Sequence, residues 1–294
     1  MEENATPAYL SSVSSARNDE LMRDCERVSS LLNRLNFFMV VSSQSPEWND
    51  RTSQIKVAAA AVISAGITLL SILKLNKKLS LQVRDALILS RVFYETSLNC
   101  CFTCADNGER AKRAESYAIV QAYQSQKKFR RIGSTTALFE NDRGILKSDP
   151  RVAEAMKEFR KQNGKFEKNC FRENRDEMIA MITQEIPHAG IFLSAVEGML
   201  FDISSELAHG SYFGFLESPI RGQCSNVEAL EGDAELVGFT VLLSASSIAY
   251  AVARLLRDND ISNEIAEIAD KYFRSLAQEE GLPSPMDASQ AKIY

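Results

Sequence analysis

The chain is expected to fold as an all-α antiparallel bundle of about eight helices, and three observations lead there. Glycine and proline are scarce, 13 and 7 in 294 residues, so the chain carries few turns and few helix breakers. Apolar residues recur at helical spacing through most of its length, and strand alternation never persists for more than a few residues. The composition is 45% hydrophobic and 25% charged, an ordinary globular mix with enough apolar mass for a sizeable core. Long helices joined by short turns pack as antiparallel neighbours.

Taken in order, residues 1–17 read as a flexible start. Asn18 is placed to cap a helix over Asp19–Val41, in which Leu21, Cys25, Val28, Leu31 and Leu32 form the apolar stripe. The stretch SSQSPEWND breaks it. A second helix is expected over Thr52–Leu75 and, after a short turn at 76–80, a third over Leu81–Ala105, stopped by Asn107-Gly108. Glu109–Arg131 reads as a charged amphipathic helix and 133–150 as an irregular connection. Helices follow over Arg151–Gln162, Glu173–Glu185 and Ala189–His209. Residues 210–222 read as a loop. Asn226 heads a very apolar helix to about Arg257, and Ser262–Glu279 is the last. The expected organisation is one all-α domain over 18–280 and a flexible tail over 281–294.

Val57–Leu73 is uncharged between Lys56 and Lys74. It is short for a membrane span and rich in small residues, so it is expected to be a helix buried by the chain's own neighbours, with no membrane insertion. The N-terminus lacks a charged-then-apolar signal pattern. Six cysteines, three of them crowded at 100, 101 and 104, suit reduced buried thiols in a cytoplasmic protein better than a disulfide scaffold. Cys101-x-x-Cys104 has no second pair and no nearby histidine, so no metal is expected, and no cofactor fingerprint is present.

Two stretches depart from a plain core. In ALILSRVFYETSLNCCFTCA the only charges are Arg91 and Glu95, four apart and so on one helix face. They read either as an internal ion pair that fixes packing or as paired charges facing a cleft. In FDISSELAHG, Asp202, Ser205 and His209 share one stripe. His209 reads either as a general acid or base or as a helix C-terminal residue interacting with the helix dipole. His188, beside Pro187, reads as a helix-start residue.

The spacing Arg91-x3-Glu95, followed much later by Ser205-x3-His209-Gly210, resembles a bacterial all-helical family of unknown function, over roughly 52–131 and 189–215. That family in turn resembles the HEPN-like class of helical bundles, many of whose members are metal-independent ribonucleases of toxin or phage-defence systems. The resemblance implies RNA cleavage with Arg91, Glu95, Ser205 and His209 as the site. The chain departs from the class where an arginine is expected shortly before the histidine: Asp202, Ile203 and Ser204 supply none.

Charge adds an anionic partner to that expectation. Residues 127–175 hold 14 Lys and Arg against 7 Asp and Glu, a net of +7 in a chain whose total is −5. Such a segment attracts RNA phosphates or is simply a solvated helix surface. The alternative function is a non-catalytic binding or regulatory module, with a protein partner or a second copy of the chain.

Overall fold

The computed structural model describes residues 15–44, 46–80, 82–125, 127–132, 135–140, 149–161, 165–167, 169–208, 227–256 and, further on, 263–265, 267, 268 and 271; the side chains of 201–208, of 227–229 and of most of the 127–140 segment lie outside that description. Among the described residues the fold is an all-α bundle of eight helices: α1 (Ala16–Ser42), α2 (Thr52–Asn76), α3 (Val83–Cys104), α4 (Glu109–Ser125), α5 (Pro150–Glu158), α6 (Arg175–Glu185), α7 (Pro187–Ala208) and α8 (Val227–Leu256), with a 3-10 turn over Pro46–Arg51.

Helix ends follow local chemistry. Ser15, not Asn18, caps α1: its hydroxyl accepts from the Asn18 amide at 3.1 Å. Asn18 instead lies inside the helix, buried, and donates to the Asn76 carbonyl at the end of α2 at 2.8 Å. This bond pins the start of α1 to the end of α2. Asp106 accepts from the amides of Gly108 and Arg110 at 2.8 and 3.0 Å, and Gly108 takes φ +104 there, which closes the α3–α4 turn. Asp149 caps α5 with Pro150 in its first turn, and Asn174 with Glu177 forms a reciprocal capping box on α6. Pro187 occupies the first position of α7, two residues before the expected start.

One departure from the sequence reading is a β-hairpin. The fourth helix ends at Ser125, and β1 (Lys127–Ile132) pairs antiparallel with β2 (Thr135–Glu140), Lys127 opposite Glu140 and Ile132 opposite Thr135. Six residues of KKFRRI crowd four like charges that a helix would stack turn on turn. Gly133-Ser134 between β-branched neighbours is a two-residue hairpin signal. α5 likewise stops at Glu158, because Arg160 bridges back to Phe166.

α3 is the centre of the main core, packed against α2, α7 and α8, with α1 closing over α2 and α8. Phe93, Tyr94 and Phe102 of α3 are fully buried, as are Phe192 of α7 and Val241 and Ile248 of α8. A satellite cluster of Val120, Ala155 and Phe159 joins α4 to α5. Arg113 ties it down: the guanidinium sits 4.3 Å over the Phe159 ring, donates to the Cys170 carbonyl at 2.8 Å, and pairs with Glu158 and Glu167.

α2 and α8 are both long and apolar enough to cross a membrane by length and composition, but 89% of the apolar window of α8 is buried in the bundle, against 33% for α2. The expectation that the molecule's own helices enclose Val57–Leu73 is therefore corrected. Ala58, Val62, Ala65, Leu69 and Ile72 face inward, while Ile63, Ile67 and Leu70 are 47%, 63% and 53% exposed on the opposite face.

Candidate functional site

Arg91 and Glu95 meet as the one-turn spacing requires, Nε to Oε1 at 3.1 Å. They are not a deeply buried pair: the Arg91 side chain is 19% exposed and that of Glu95 43%. The apolar character of α3 runs nearly all round it, but Asp85, Val92 and Asn99 open one stripe to solvent, and Glu95 lies on that side.

Beside them is a residue the sequence reading passed over. Tyr94 has a fully buried ring, and its hydroxyl donates to Glu197 Oε2 at 2.6 Å. Arg175 Nε donates to the other oxygen, Oε1, at 2.8 Å. Glu197 thus joins α3, α6 and α7 through one carboxylate. Burial, and then the bond to Glu197, hold the Tyr94 phenol well above its ordinary range, so it remains a donor. The available signal was a tyrosine inside a nearly all-apolar central helix, whose hydroxyl must find a partner once buried.

Glu95, Arg175 and Glu197 border a cleft of about 610 Å³. Its carboxylates are Glu95, Glu173, Asp176 and Glu197, against the single cation Arg175. Tyr117 and Phe171 supply aromatic wall, and Asn99 and Asn174 supply amides. The lining is therefore anionic. Within the basic 127–175 segment, Arg151 pairs with Asp149, Arg172 with Glu167, and Arg175 with Glu197.

His209 lies outside the described residues, and so does the side chain of Ser205; the backbone at Ser205 belongs to α7. The helix directions locate that backbone. Arg175 reaches Glu197, and Gly190 lies against Thr183, so α6 and α7 are antiparallel. Leu98 and Met178 line the same cleft, and Met181 Sδ is 3.7 Å from the Arg110 guanidinium that covers Phe102, so α3 and α6 run parallel. Hence α7 runs antiparallel to α3, with Glu197 level with Tyr94. At about 1.5 Å per residue, the backbone of Ser205 passes Arg91 and lies roughly 7 Å beyond it along the axis, about the reach of an arginine side chain.

A second missed residue belongs to this end of the bundle. Ser15 bonds Glu231, Arg17 pairs with Glu235, and Leu21 packs against Gly238, so α8 runs parallel to α1. Ser247 Oγ donates to the Ala189 carbonyl at 3.2 Å. Counting back along α8 puts Asp233 level with the final turns of α7. Burial pushes the Asp233 carboxyl up to about 6, and its Oδ2 is buried with no hydrogen-bond partner among the described residues. Arg84 Nε in the first turn of α3, Asn18 Oδ1 and the Asn76 side-chain amide share that condition. Buried orphan polar atoms are uncommon in native folds, and these four residues gather where the starts of α1, α3 and α8 meet the ends of α2 and α7.

Comparison with known proteins finds no match: no family model, no curated protein and no solved structure is similar enough to the chain to place it.

Proposed function

We propose that the chain is a HEPN-like helical protein that cleaves RNA without a metal in a defence or toxin–antitoxin setting in the cytoplasm. The observation that supports this reading is the antiparallel passage of α7 across Arg91: it carries the backbone of Ser205, four residues before His209 in the sequence, past Arg91 toward the half of α3 that holds Arg84. His209 is the proposed proton-transfer group, because histidine is the side chain suited to acid–base work near neutral pH. Arg91, oriented by Glu95, supplies charge for a developing phosphorane, which is the role of the arginine missing at 202–204. Ser205 holds the imidazole or a phosphate oxygen. The buried orphan groups at this end, Asp233 above all, support a polar site over an apolar plug.

The test is incubation of purified wild type and His209→Ala with labelled total RNA, with and without EDTA. The expected result is cleavage that survives EDTA and is lost in the variant while the helical circular dichroism stays intact. Cleavage that persists in His209→Ala refutes the site.

A second reading is favoured by the cleft. Four carboxylates against one paired arginine repel phosphate and attract a cation. A non-catalytic module that takes a basic side chain or a polyamine between Tyr117 and Phe171 is the form it would assume. Absence of cleavage by wild type on every RNA tried, together with spermine binding that Glu95→Gln weakens, selects this reading.

A further inference from the structure

The β1–β2 hairpin concentrates positive charge in an acidic chain. Lys127, Lys128, Arg130 and Arg131 stand against one acid, Glu140, so the paired strands carry four cations less one, a net of +3, in a chain whose total is −5. Glu140 lies opposite Lys127 at the base of the ribbon, so the excess lies toward the turn. β1 packs against α4, the helix it follows, and residues 116–125 of that helix hold no charged side chain to answer it.

Strand alternation sorts these residues into two faces. Positions 127, 129 and 131 share one face with 136, 138 and 140, and positions 128, 130 and 132 share the other with 135, 137 and 139. Lys127 and Arg131 are therefore about 13 Å apart along one face, with Phe129 midway. Leu138, opposite Phe129, is 48% exposed, so this face is open to solvent. On the other face Lys128 is opposite Phe139, and Arg130 is the next position along. Each face thus combines two cations with one aromatic.

We propose that the hairpin is a docking arm for single-stranded RNA, in which its cations take phosphates and Phe129 stacks on a base held between Lys127 and Arg131. This rests on the RNA reading above and adds to it the surface that holds the strand. Three features select the ligand. The order cation, aromatic, cation matches the order phosphate, base, phosphate of an unpaired strand. A lipid surface takes up an element through an apolar face that is free of charge, and neither face of this ribbon is free of charge. An RNA duplex keeps its bases stacked, and its major groove is too narrow to be read by side chains.

The experiment is fluorescence anisotropy of a labelled 2′-O-methyl oligouridylate of about 16 nucleotides, titrated with the full chain from roughly 50 to 200 mM salt. The methyl groups block cleavage by 2′-hydroxyl attack, so binding is read apart from chemistry. Replacing Lys127, Lys128, Arg130 and Arg131 together by glutamine is expected to lower the slope of log affinity against log salt by about 2 to 3, at roughly 0.7 per phosphate contact. The pairs Lys127→Gln with Arg131→Gln and Lys128→Gln with Arg130→Gln are each expected to give about half that change, which unravelling of the ribbon would not. Phe129→Ala is expected to weaken binding at least about fivefold at every salt concentration with the slope unchanged, and Phe129→Tyr to retain it. Lys157→Gln, in the helical part of the basic segment, is expected to change neither. No binding by wild type, an unchanged slope in the fourfold variant, or wild-type affinity in Phe129→Ala overturns the proposal. So does flotation with phosphatidylserine vesicles, lost in the fourfold variant, by a protein that ignores the oligonucleotide. Binding with the expected dependence but no cleavage of total RNA refutes the nuclease and leaves the arm. EDTA-resistant cleavage that requires His209, with affinity untouched by the hairpin variants, keeps the nuclease and removes the arm.

Discussion

α7 carries two glycines, and alanine at each is expected to act with opposite sign. A Cβ on Gly190 lies 2.5 Å from the Thr183 Cα and 2.7 Å from its Cβ. Carbon atoms pack at about 3.5–4.0 Å, so α6 and α7 must part by roughly 1 Å, and the atom in the way is backbone that no rotamer moves. Overpacking of that kind costs about 3 kcal/mol, at the upper end of the usual range, or roughly 6–10 °C in Tm for a chain of this size. Gly198, two turns on, is exposed, and a Cβ there meets nothing within 4 Å. Gly198→Ala is therefore expected to stabilise by about 0.5–1 kcal/mol through helix propensity alone. Thermal melts by circular dichroism compare the two. A Thr183→Gly background removes the Cβ but not the Cα clash, so it is expected to rescue Gly190→Ala only in part. Gly190→Ala as stable as wild type, or full rescue by Thr183→Gly, would show that α6 and α7 do not approach as described, and the Arg175–Glu197 bond that walls the cleft would go with that packing.

Three further outcomes follow from the site. A double-mutant cycle with Arg91→Met and Glu95→Leu is expected to give a coupling of at most about 1 kcal/mol, since Glu95 is half-exposed; urea melts giving 3 kcal/mol or more would mean a dry pair. Tyr94→Phe is expected to cost roughly 1.5–3 kcal/mol, because it removes a buried hydroxyl from a carboxylate, whereas Arg175→Met, whose side chain is 43% exposed, costs under about 1 kcal/mol. Asp233 has a folded pKa raised from 3.8 to about 6 by burial, so its folded form holds the proton more tightly than the unfolded chain does. Stability from this group is complete below pH 3.8 and is lost as pH rises through 6. Asp233→Asn is expected to remove that decline, and to be the more stable protein at pH 7 by about 1 kcal/mol after allowance for its partial exposure; denaturation curves at pH 4, 5, 6 and 7 that keep the wild-type slope would refute it.

The helices were legible where apolar period and terminal chemistry agreed. α2 was expected to start at Thr52 and does, and α3 was expected to stop before Asn107-Gly108 and does. Asn18 and Ser15 are equally good capping residues, and only the tertiary bond from Asn18 to the Asn76 carbonyl decides between them. The hairpin was hidden by charge: KKFRRI continues the lysines and arginines of α4, which masked the Gly133-Ser134 turn signal between the two strands. α2 is uncharged between Lys56 and Lys74, so only these two residues near its ends mark its exposed side, and the long apolar run between them read as buried all round. Of the site, the Arg91–Glu95 pair follows from spacing alone. The Tyr94–Glu197–Arg175 junction spans three helices and had no sequence neighbour to announce it.

The cysteines give the molecule a built-in chemical clock. Cys25, Cys100, Cys101 and Cys104 are buried in the main core, whereas Cys170 stands half-buried on the cleft wall. Burial holds the Cys25 and Cys101 thiols well above the ordinary range, and Cys104 is held there by its hydrogen bond to Cys100 and by burial. Cys170, pushed up to about 11 by burial, is the least shielded of the five. With Cys224→Ser in the background, a thiol reagent therefore reads two events on one chain. The first modification tracks access to the cleft, and the remaining four arrive together only when α3 is released from its neighbours. The interval between them measures how long the central helix stays enclosed, with no probe added to the protein.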